Sequence, residues 1–183
     1  MAFIGKKVPV FSVQAYVNGQ IQTISNDDTL GKWAIYFFYP ADFTFVCPTE
    51  LADIQHKYGK LKDLNTEVYS ISCDSHFAHK GWADSTDIIG KIEYPMLGDP
   101  TQVISRGFDV LNEEKGMPYR ATFIADPEGT ILAYEVHSEN IVRDADELIR
   151  KLQTAQFGVK HGNQVCPAKW MPGVDTFIPS LDD

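Results

Sequence analysis

The sequence predicts an α/β (α+β) fold in which a central mixed β-sheet is flanked by helices. Three observations support this prediction. Patterns typical of strands and of helices alternate through much of the chain. The run Trp33–Tyr39 is apolar and aromatic without a break, as expected of a strand covered on both faces. The segment after it carries apolar residues at helical spacing, which indicates a single core-facing stripe.

The first part of the chain contains a predicted N-terminal β-hairpin, the buried strand and a long helix. Asn18-Gly19 is a strong hairpin turn signal, and it lies between the β-like segments 13–16 and 21–24. After the buried strand 33–39, we expect the helix to begin near Pro48, because proline is favoured in the first turn. The apolar stripe of this helix consists of Leu51, Ile54, Tyr58 and Leu61.

The rest of the chain continues the alternation and ends in an irregular segment. The expected elements are a strand at 68–73, a helix at about 76–84, a loop with a short helix at 99–108, and strands at 121–125 and 131–136 joined by the turn 126–129. Asp144 and Glu147 form a capping-box-like start of the last helix, and Gly158 is expected to end it. From His161 onward, several prolines predict an irregular C-terminal arm.

Composition limits the classes of protein to which the chain can belong. At 183 residues, with 44% apolar and 22% charged residues, it is expected to be one ordinary globular domain. A net charge of −9 argues against nucleic acid or an anionic membrane as partner. No stretch approaches the ~18 apolar residues of a membrane span, and residues 1–11 lack the pattern of a secretory signal. A cytoplasmic location is therefore expected.

Cys47 is the residue with the clearest chemical potential. It stands between the buried strand and the predicted helix, among backbone N–H groups that lack intrahelical partners. The positive end of the helix dipole favours the thiolate, which is the reactive form of cysteine. A free cysteine is more often a small buried hydrophobe. The position raises the chance of a catalytic role without deciding it.

The residues around Cys47 form a recognisable motif. Pro-x-x-x-Thr-x-x-Cys in residues 40–47, within Phe-Thr-Phe-Val-Cys-Pro-Thr-Glu, resembles the active-site signature of the typical two-cysteine peroxiredoxins. The resemblance extends through residues 74–77, 119–123 and 165–170. Within this family, the chain is similar in particular to the peroxidase subunit of bacterial alkyl hydroperoxide reductases. It implies a thioredoxin-like fold with a peroxidase domain at 1–160. The C-terminal arm at 161–183 is expected to be part of the same domain.

The resemblance also implies roles for individual residues. Cys47 would attack a hydroperoxide, such as hydrogen peroxide or an organic hydroperoxide, and become a sulfenic acid. Thr44 has a hydroxyl that can accept from the peroxide or donate to the thiolate, and Pro40 can shield the sulfur from water. Arg120 would favour the thiolate and hold the peroxide oxygens with its forked donors. Glu50 is expected to orient Arg120 by pairing with it.

Two further cysteines receive different predictions. Cys166 lies in a Val-Cys-Pro motif that, by resemblance, marks the resolving cysteine. The resemblance implies a disulfide between Cys47 and Cys166 of the partner subunit, and hence a homodimer that assembles into a decamer. Cys73 matches no catalytic position of the family, and we expect it to be structural.

The resemblance implies no bound metal, flavin or haem, because the redox equivalents reside on sulfur. Electrons would come from a flavoprotein disulfide reductase subunit fed by a nicotinamide nucleotide, or alternatively from thioredoxin. An oligomeric holdase chaperone or a peroxide-sensing disulfide relay remains the alternative function. A general thiol–disulfide exchanger is disfavoured because the chain has no Cys-x-x-Cys.

Two departures from the family pattern concern overoxidation. The loop 113–118 lacks the Gly-Gly-Leu-Gly of sensitive forms, and the tail 179–183 lacks their terminal Tyr-Phe. We therefore expect the protein to resist sulfinic inactivation.

Overall fold

The computed structural model describes residues 2–180, so Met1 and the last three residues of the tail, 181–183, lie outside it. The described chain forms a seven-stranded mixed sheet in the order β2-β1-β5-β4-β3-β8-β9 and a small β6–β7 hairpin. The strands are β1 Ser12–Val17, β2 Gln20–Ser25, β3 Trp33–Phe38, β4 Thr66–Ser72, β5 Met96–Gly98, β6 Leu111–Asn112, β7 Met117–Pro118, β8 Arg120–Ala125 and β9 Ile131–His137. The helices are α1 Cys47–Asp63, α2 His76–Ser85, α3 Val103–Gly107 and α4 Ala145–Lys160.

Strand β3 lies inside the sheet, between β4 and β8, and it divides the core in two. Its alternate side chains enter opposite clusters: Ile35 and Phe37 pack with the stripe of α1, whereas Tyr36 and Phe38 pack with Phe108 on the other face. This explains why the strand is apolar throughout. The four stripe residues of α1 are all buried, and burial of each large apolar side chain contributes about 1.5–3 kcal/mol.

Most of the predicted elements are confirmed, including the central mixed sheet flanked by helices and the N-terminal hairpin β1–β2. The sequence did not predict β5 or the β6–β7 hairpin, whose strands have three and two residues. The prediction that Gly158 ends the last helix is wrong, because α4 continues to Lys160. Gly158 does not have the positive φ of a glycine cap, so it is an ordinary helical residue.

The irregular C-terminal arm is anchored to the domain. Trp170 is buried, and its ring centroid lies 4.9 Å from that of Phe157 on α4. Val165 and Phe177 exchange two backbone hydrogen bonds of 2.8 and 3.0 Å, which hold the arm in a short bridge. Cys166 is therefore held by local structure next to that bridge. Within residues 2–180, no helix is both long and apolar enough to cross a bilayer.

The sheet topology determines where the candidate site lies. Strands β3 and β4 are parallel neighbours, so their carboxyl ends meet at the same edge of the sheet. The loop 39–46 follows β3 and leads to α1, whereas the turn 73–75 follows β4 and leads to α2. The start of α1 is consequently placed beside the start of α2.

Candidate active site

Cys47 is the first residue of α1 and is 1% exposed. Pro48 lies within the first turn, where its missing N–H costs no helical hydrogen bond, and no side chain caps this helix end. Unpaired backbone N–H groups and the positive end of the helix dipole therefore face the region of the thiol. The structure places Cys47 as the sequence predicted, at the transition from strand to helix.

Arg120, the first residue of β8, reaches the sulfur of Cys47. Its Nη1 lies 3.4 Å from Cys47 Sγ and 2.6 Å from Glu50 Oε2, and its Nε donates to the carbonyl of Glu139 at 2.7 Å. Burial favours the neutral guanidine, but the contact with Cys47 and the charge of Glu50 outweigh it and raise the pKa of Arg120. Arg120 therefore remains a fixed positive charge beside the thiol.

Glu50 is the centre of a buried charge cluster. Besides its bond to Arg120, its carboxylate accepts hydrogen bonds from Arg143 Nε at 2.9 Å and Arg143 Nη2 at 3.1 Å. The backbone N–H of Arg143 donates to the same carboxylate at 2.9 Å. One carboxylate thus holds two arginines, and only one of them contacts Cys47.

Arg143 is a site residue that the sequence analysis missed. Its Nη1 donates to the carbonyl of Ala121 at 2.7 Å and to Thr122 Oγ1 at 3.2 Å, and its guanidinium lies 3.4 Å from the centroid of the Phe37 ring. Burial lowers the pKa of Arg143, opposed by its bonds to Glu50, although a guanidinium stays charged in proteins. Locally, Arg143 looks like any arginine before a helix N-cap, so no signal in the sequence distinguishes it.

Thr44 and Pro40 lie in the loop between β3 and α1, which leads to Cys47. The Thr44 hydroxyl donates to the carbonyl of Ala41 at 2.9 Å, which leaves its lone pairs free to accept a hydrogen bond. The sequence suggested that this hydroxyl either accepts a hydrogen bond from the peroxide or donates one to the thiolate. The observed conformation fits the first use, because the hydroxyl proton is already donated to Ala41. Pro40 is buried, as expected of a residue that excludes water. Phe43 between them has a left-handed φ of 55°, which is a strained conformation for an aromatic residue.

A second buried polar cluster lies at the start of the loop. The Asp42 carboxylate accepts from the Tyr39 hydroxyl at 2.7 Å and lies 2.7 Å from Nδ1 of His79, which is fully buried on α2. The backbone N–H of Asp42 donates to Asp74 at 2.9 Å. Burial, together with the charge of Asp42, raises the pKa of Tyr39 well above its usual value. These bonds attach the loop to the carboxyl end of β4 and to α2.

The three cysteines are unpaired thiols in this structure. Cys166 is half-buried on the C-terminal arm, and the structure shows no contact between it and Cys47. Cys73 lies just after β4, with Sγ 3.7 Å from Ser105 Oγ. Burial raises the pKa of the Cys73 thiol to about 11, only partly opposed by Ser105. Such a thiol is mostly protonated at neutral pH and therefore weakly nucleophilic.

Within residues 2–180, no cluster of three or more histidine, cysteine or carboxylate side chains is arranged to hold a metal ion. The arrangement can nevertheless support nucleophilic chemistry at sulfur. Cys47 can supply the nucleophile and Arg120 a fixed charge, and the Thr44 hydroxyl in the adjacent loop can accept a hydrogen bond. Because the thiol is buried, these groups act where water does not compete with them.

Comparison with family models and with named proteins supports a peroxidase assignment. The AhpC/TSA family model matches residues 4–134, and the model of the C-terminal domain of 1-Cys peroxiredoxin matches residues 155–183. Alkyl hydroperoxide reductase C of Bacillus subtilis is 52% identical over 182 residues, covering 100% of this chain and 97% of that protein. Alkyl hydroperoxide reductase C of Escherichia coli (strain K12) is 50% identical with the same coverage.

Solved structures with the same fold include two that cover most of the chain. Enterococcus faecalis AhpC has a TM-score of 0.89 and 54% identity, and the match covers 91% of this chain and 100% of that one. Reduced Plasmodium vivax 2-Cys peroxiredoxin has a TM-score of 0.91 and 30% identity, with 96% and 93% coverage. These likenesses confirm the thioredoxin-like fold that the family resemblance implied.

Proposed function

The chain belongs to the AhpC/TSA family and is a thiol peroxidase, and from this premise we propose that it reduces hydrogen peroxide and organic hydroperoxides through Cys47. The observation that carries the proposal is the contact of 3.4 Å between Arg120 Nη1 and the buried sulfur of Cys47. The relatives' name, alkyl hydroperoxide reductase C, supports alkyl hydroperoxides as substrates. A holdase chaperone or a disulfide relay is not favoured.

In the first step, the Cys47 thiolate attacks one oxygen of the hydroperoxide. An S–O bond forms, the O–O bond breaks, and the departing oxygen takes a proton to leave as alcohol or water. Arg120 stabilises the charge on this oxygen, since its guanidinium is fixed by Glu50 and by the carbonyl of Glu139. Thr44 accepts the hydrogen bond of the peroxide hydroxyl, and Pro40 keeps water out of the site.

In the second step, the Cys47 sulfenic acid condenses with the thiol of Cys166. An S–S bond forms and water leaves with the sulfenic oxygen. We assign Cys166 to the partner subunit, on the C-terminal arm of residues 161–183, which completes the peroxidase domain of residues 1–160. The absence of a Cys47–Cys166 contact within the described chain is consistent with this assignment.

A separate dithiol must return two electrons and two protons to the disulfide. We propose a flavoprotein disulfide reductase as this donor, with thioredoxin as the alternative, because the relatives are named as components of alkyl hydroperoxide reductase. The chemistry requires no metal, flavin or haem on this chain, since the electrons reside on sulfur. A cytoplasmic location fits a catalytic cycle that depends on such reductants.

Two exposed apolar surfaces support assembly into dimers and a decamer. Strand β9 forms one edge of the sheet, and Tyr134 and Val136 on it are exposed, so a second copy can pair there as an isologous dimer. Phe43 and Phe45 on the loop before α1, and Phe77 at the start of α2, are exposed as well. A closed ring of dimers needs a second interface of this kind.

Peroxide consumption with a dithiol donor tests the proposal directly. The Cys47→Ser variant is expected to lose catalytic turnover while keeping its fold, because serine cannot form the sulfenic acid. A holdase would protect client proteins without Cys47. Substantial peroxide consumption by a folded Cys47→Ser variant would refute the assignment.

A further inference from the structure

Glu135 on β9 and Lys151 on α4 form an ion pair that the mechanism above does not use. The ammonium of Lys151 contacts Glu135 Oε2, and the side chains of Glu135 and Lys151 are 22% and 35% exposed. Within residues 2–180, Glu135 is the most buried carboxylate among the lysine ion pairs. His137 Nε2 lies 3.6 Å from the same oxygen. Because the pair is partly buried, salt and water screen its charges less than those of the surface pairs.

The register of β8 and β9 places this ion pair on the same face of the sheet as Arg120. Glu135 is the cross-strand partner of Thr122, and His137 is the cross-strand partner of Arg120. Alternate residues of a strand share a face, so these four side chains lie on one side of the sheet. The Thr122 hydroxyl also accepts a hydrogen bond from Arg143 Nη1 at 3.2 Å. The ion pair is therefore next to the second arginine of the Glu50 cluster.

Glu135 and Arg143 line the same narrow cavity, which is too small to hold a water molecule. The attraction between opposite charges is stronger where no water separates them. Burial lowers the pKa of Arg143, and the negative charges of Glu50 and Glu135 oppose this effect. Asp144 borders the cavity too, but its carboxylate accepts backbone N–H groups at the start of α4. Glu135 is thus a second carboxylate that attracts Arg143.

The charged side chains between α4 and the thiol alternate in sign. In order they are Lys151, Glu135, Arg143, Glu50 and Arg120, which contacts Cys47. Arg143 stands in the middle of this row, between two carboxylates. Its Nε and Nη2 both donate to Glu50, at 2.9 and 3.1 Å. Because Glu50 is shared in this way, Arg120 Nη1 can contact the sulfur as well as the carboxylate.

We propose that Lys151 is a positioning residue that supports the catalytic thiolate by occupying Glu135. The proposal rests on the function proposed above, in which this thiolate attacks the peroxide. Without the lysine ammonium, the released carboxylate of Glu135 would draw Arg143 away from Glu50. Glu50 would then bind Arg120 more strongly, so less positive charge would act on the sulfur.

Two single variants should affect the thiolate in opposite directions. Lys151→Met removes a positive charge and should disfavour the thiolate, whereas Glu135→Gln removes a negative charge and should favour it. The measurement is alkylation of Cys47 by iodoacetamide in the reduced protein as a function of pH, with the modified peptides identified by mass spectrometry. The midpoint of this pH profile should move up by about 0.5 pH unit in Lys151→Met and down by a similar amount in Glu135→Gln, because neither charge touches the sulfur. Below the midpoint, each shift changes the alkylation rate about threefold, since the rate follows the thiolate fraction.

The variant with both substitutions tests whether Lys151 acts through Glu135. In the Glu135→Gln background, Lys151→Met should move the midpoint by less than half of its shift in the wild-type protein. Lys57→Met is the matched control, because Lys57 is 34% exposed and joins α1 to α4 by its ion pair with Asp146 at 2.8 Å. This control should leave the midpoint unchanged, and circular dichroism should show every variant folded.

His137 is the other titratable group facing Glu135, so the profiles are repeated with His137→Asn. The opposite shifts should persist there, and their loss would assign the effect to the imidazole and overturn the role of Lys151. Shifts of the same sign in the two single variants, no shift in either, or a full Lys151→Met shift without Glu135 would also overturn it. Alkylation is measured without peroxide, whereas the proposed function fails if folded Cys47→Ser consumes peroxide. The two failures are therefore distinguishable.

Discussion

Replacing Arg120 by lysine tests whether the guanidinium geometry, and not the charge alone, supports catalysis. Arg120 uses Nη1 for both Cys47 and Glu50 and Nε for the carbonyl of Glu139. A lysine ammonium keeps the charge but offers one nitrogen, which cannot reach all three partners in a fixed plane. Loss of one charge-assisted hydrogen bond in the transition state costs about 2 kcal/mol. The second-order rate with peroxide should fall about thirtyfold, since each 1.36 kcal/mol is a factor of ten.

The assay is stopped-flow measurement of the reaction between the reduced protein and hydrogen peroxide under pseudo-first-order conditions. Arg106→Lys is the matched control, because Arg106 is exposed and pairs with Glu113 on the surface. This control should leave the rate unchanged, and circular dichroism should show both variants folded. A folded Arg120→Lys variant that reacts as fast as wild type would refute the role assigned to the guanidinium.

Two further predictions concern the half-buried Cys73 and the buried Glu50. Cys73→Val should retain most turnover, and loss of turnover in the folded variant would show that Cys73 has a catalytic role. In the wild-type protein, iodoacetamide should alkylate Cys73 only slowly below about pH 10, because the pKa of this thiol is raised to about 11. Glu50→Gln should lower the free energy of unfolding in urea by about 3–5 kcal/mol, because two buried arginines lose their counter-charge. The exposed control Glu113→Gln should cost less than about 1 kcal/mol, and an equally small effect at Glu50 would contradict the account.

The central elements of the fold could be predicted because the pattern of apolar residues that defines each element lies within a single continuous segment. Strand β3 is buried on both faces and α1 on one stripe, so burial is visible in the order of apolar residues. Strand β5 has only three residues, Met96–Gly98, and is stabilised by its neighbours β1 and β4 and not by a pattern of its own. Its existence depends on tertiary pairing, which no short sequence window contains.

The same distinction applies to the site. The position of Cys47 at the start of a helix could be read locally, and the resemblance supplied Arg120 as a candidate. Glu50 followed from a charge argument, because a carboxylate near the thiol calls for a positive partner. The second arginine of the Glu50 cluster, Arg143, is 93 positions from Glu50 and joins it only through the fold. The pair of Asp42 and His79, 37 positions apart, is hidden for the same reason.

The central claim is that Cys47 and Cys166 of two subunits form the catalytic disulfide. The most direct measurement treats the reduced protein with one equivalent of hydrogen peroxide, separates it on a non-reducing gel and maps the product by mass spectrometry. The account predicts a covalent dimer in which a peptide containing Cys47 is linked to one containing Cys166, with little Cys47 sulfinic acid. A product that remains monomeric, with Cys47 as sulfinic acid or with the disulfide within single chains, would contradict it.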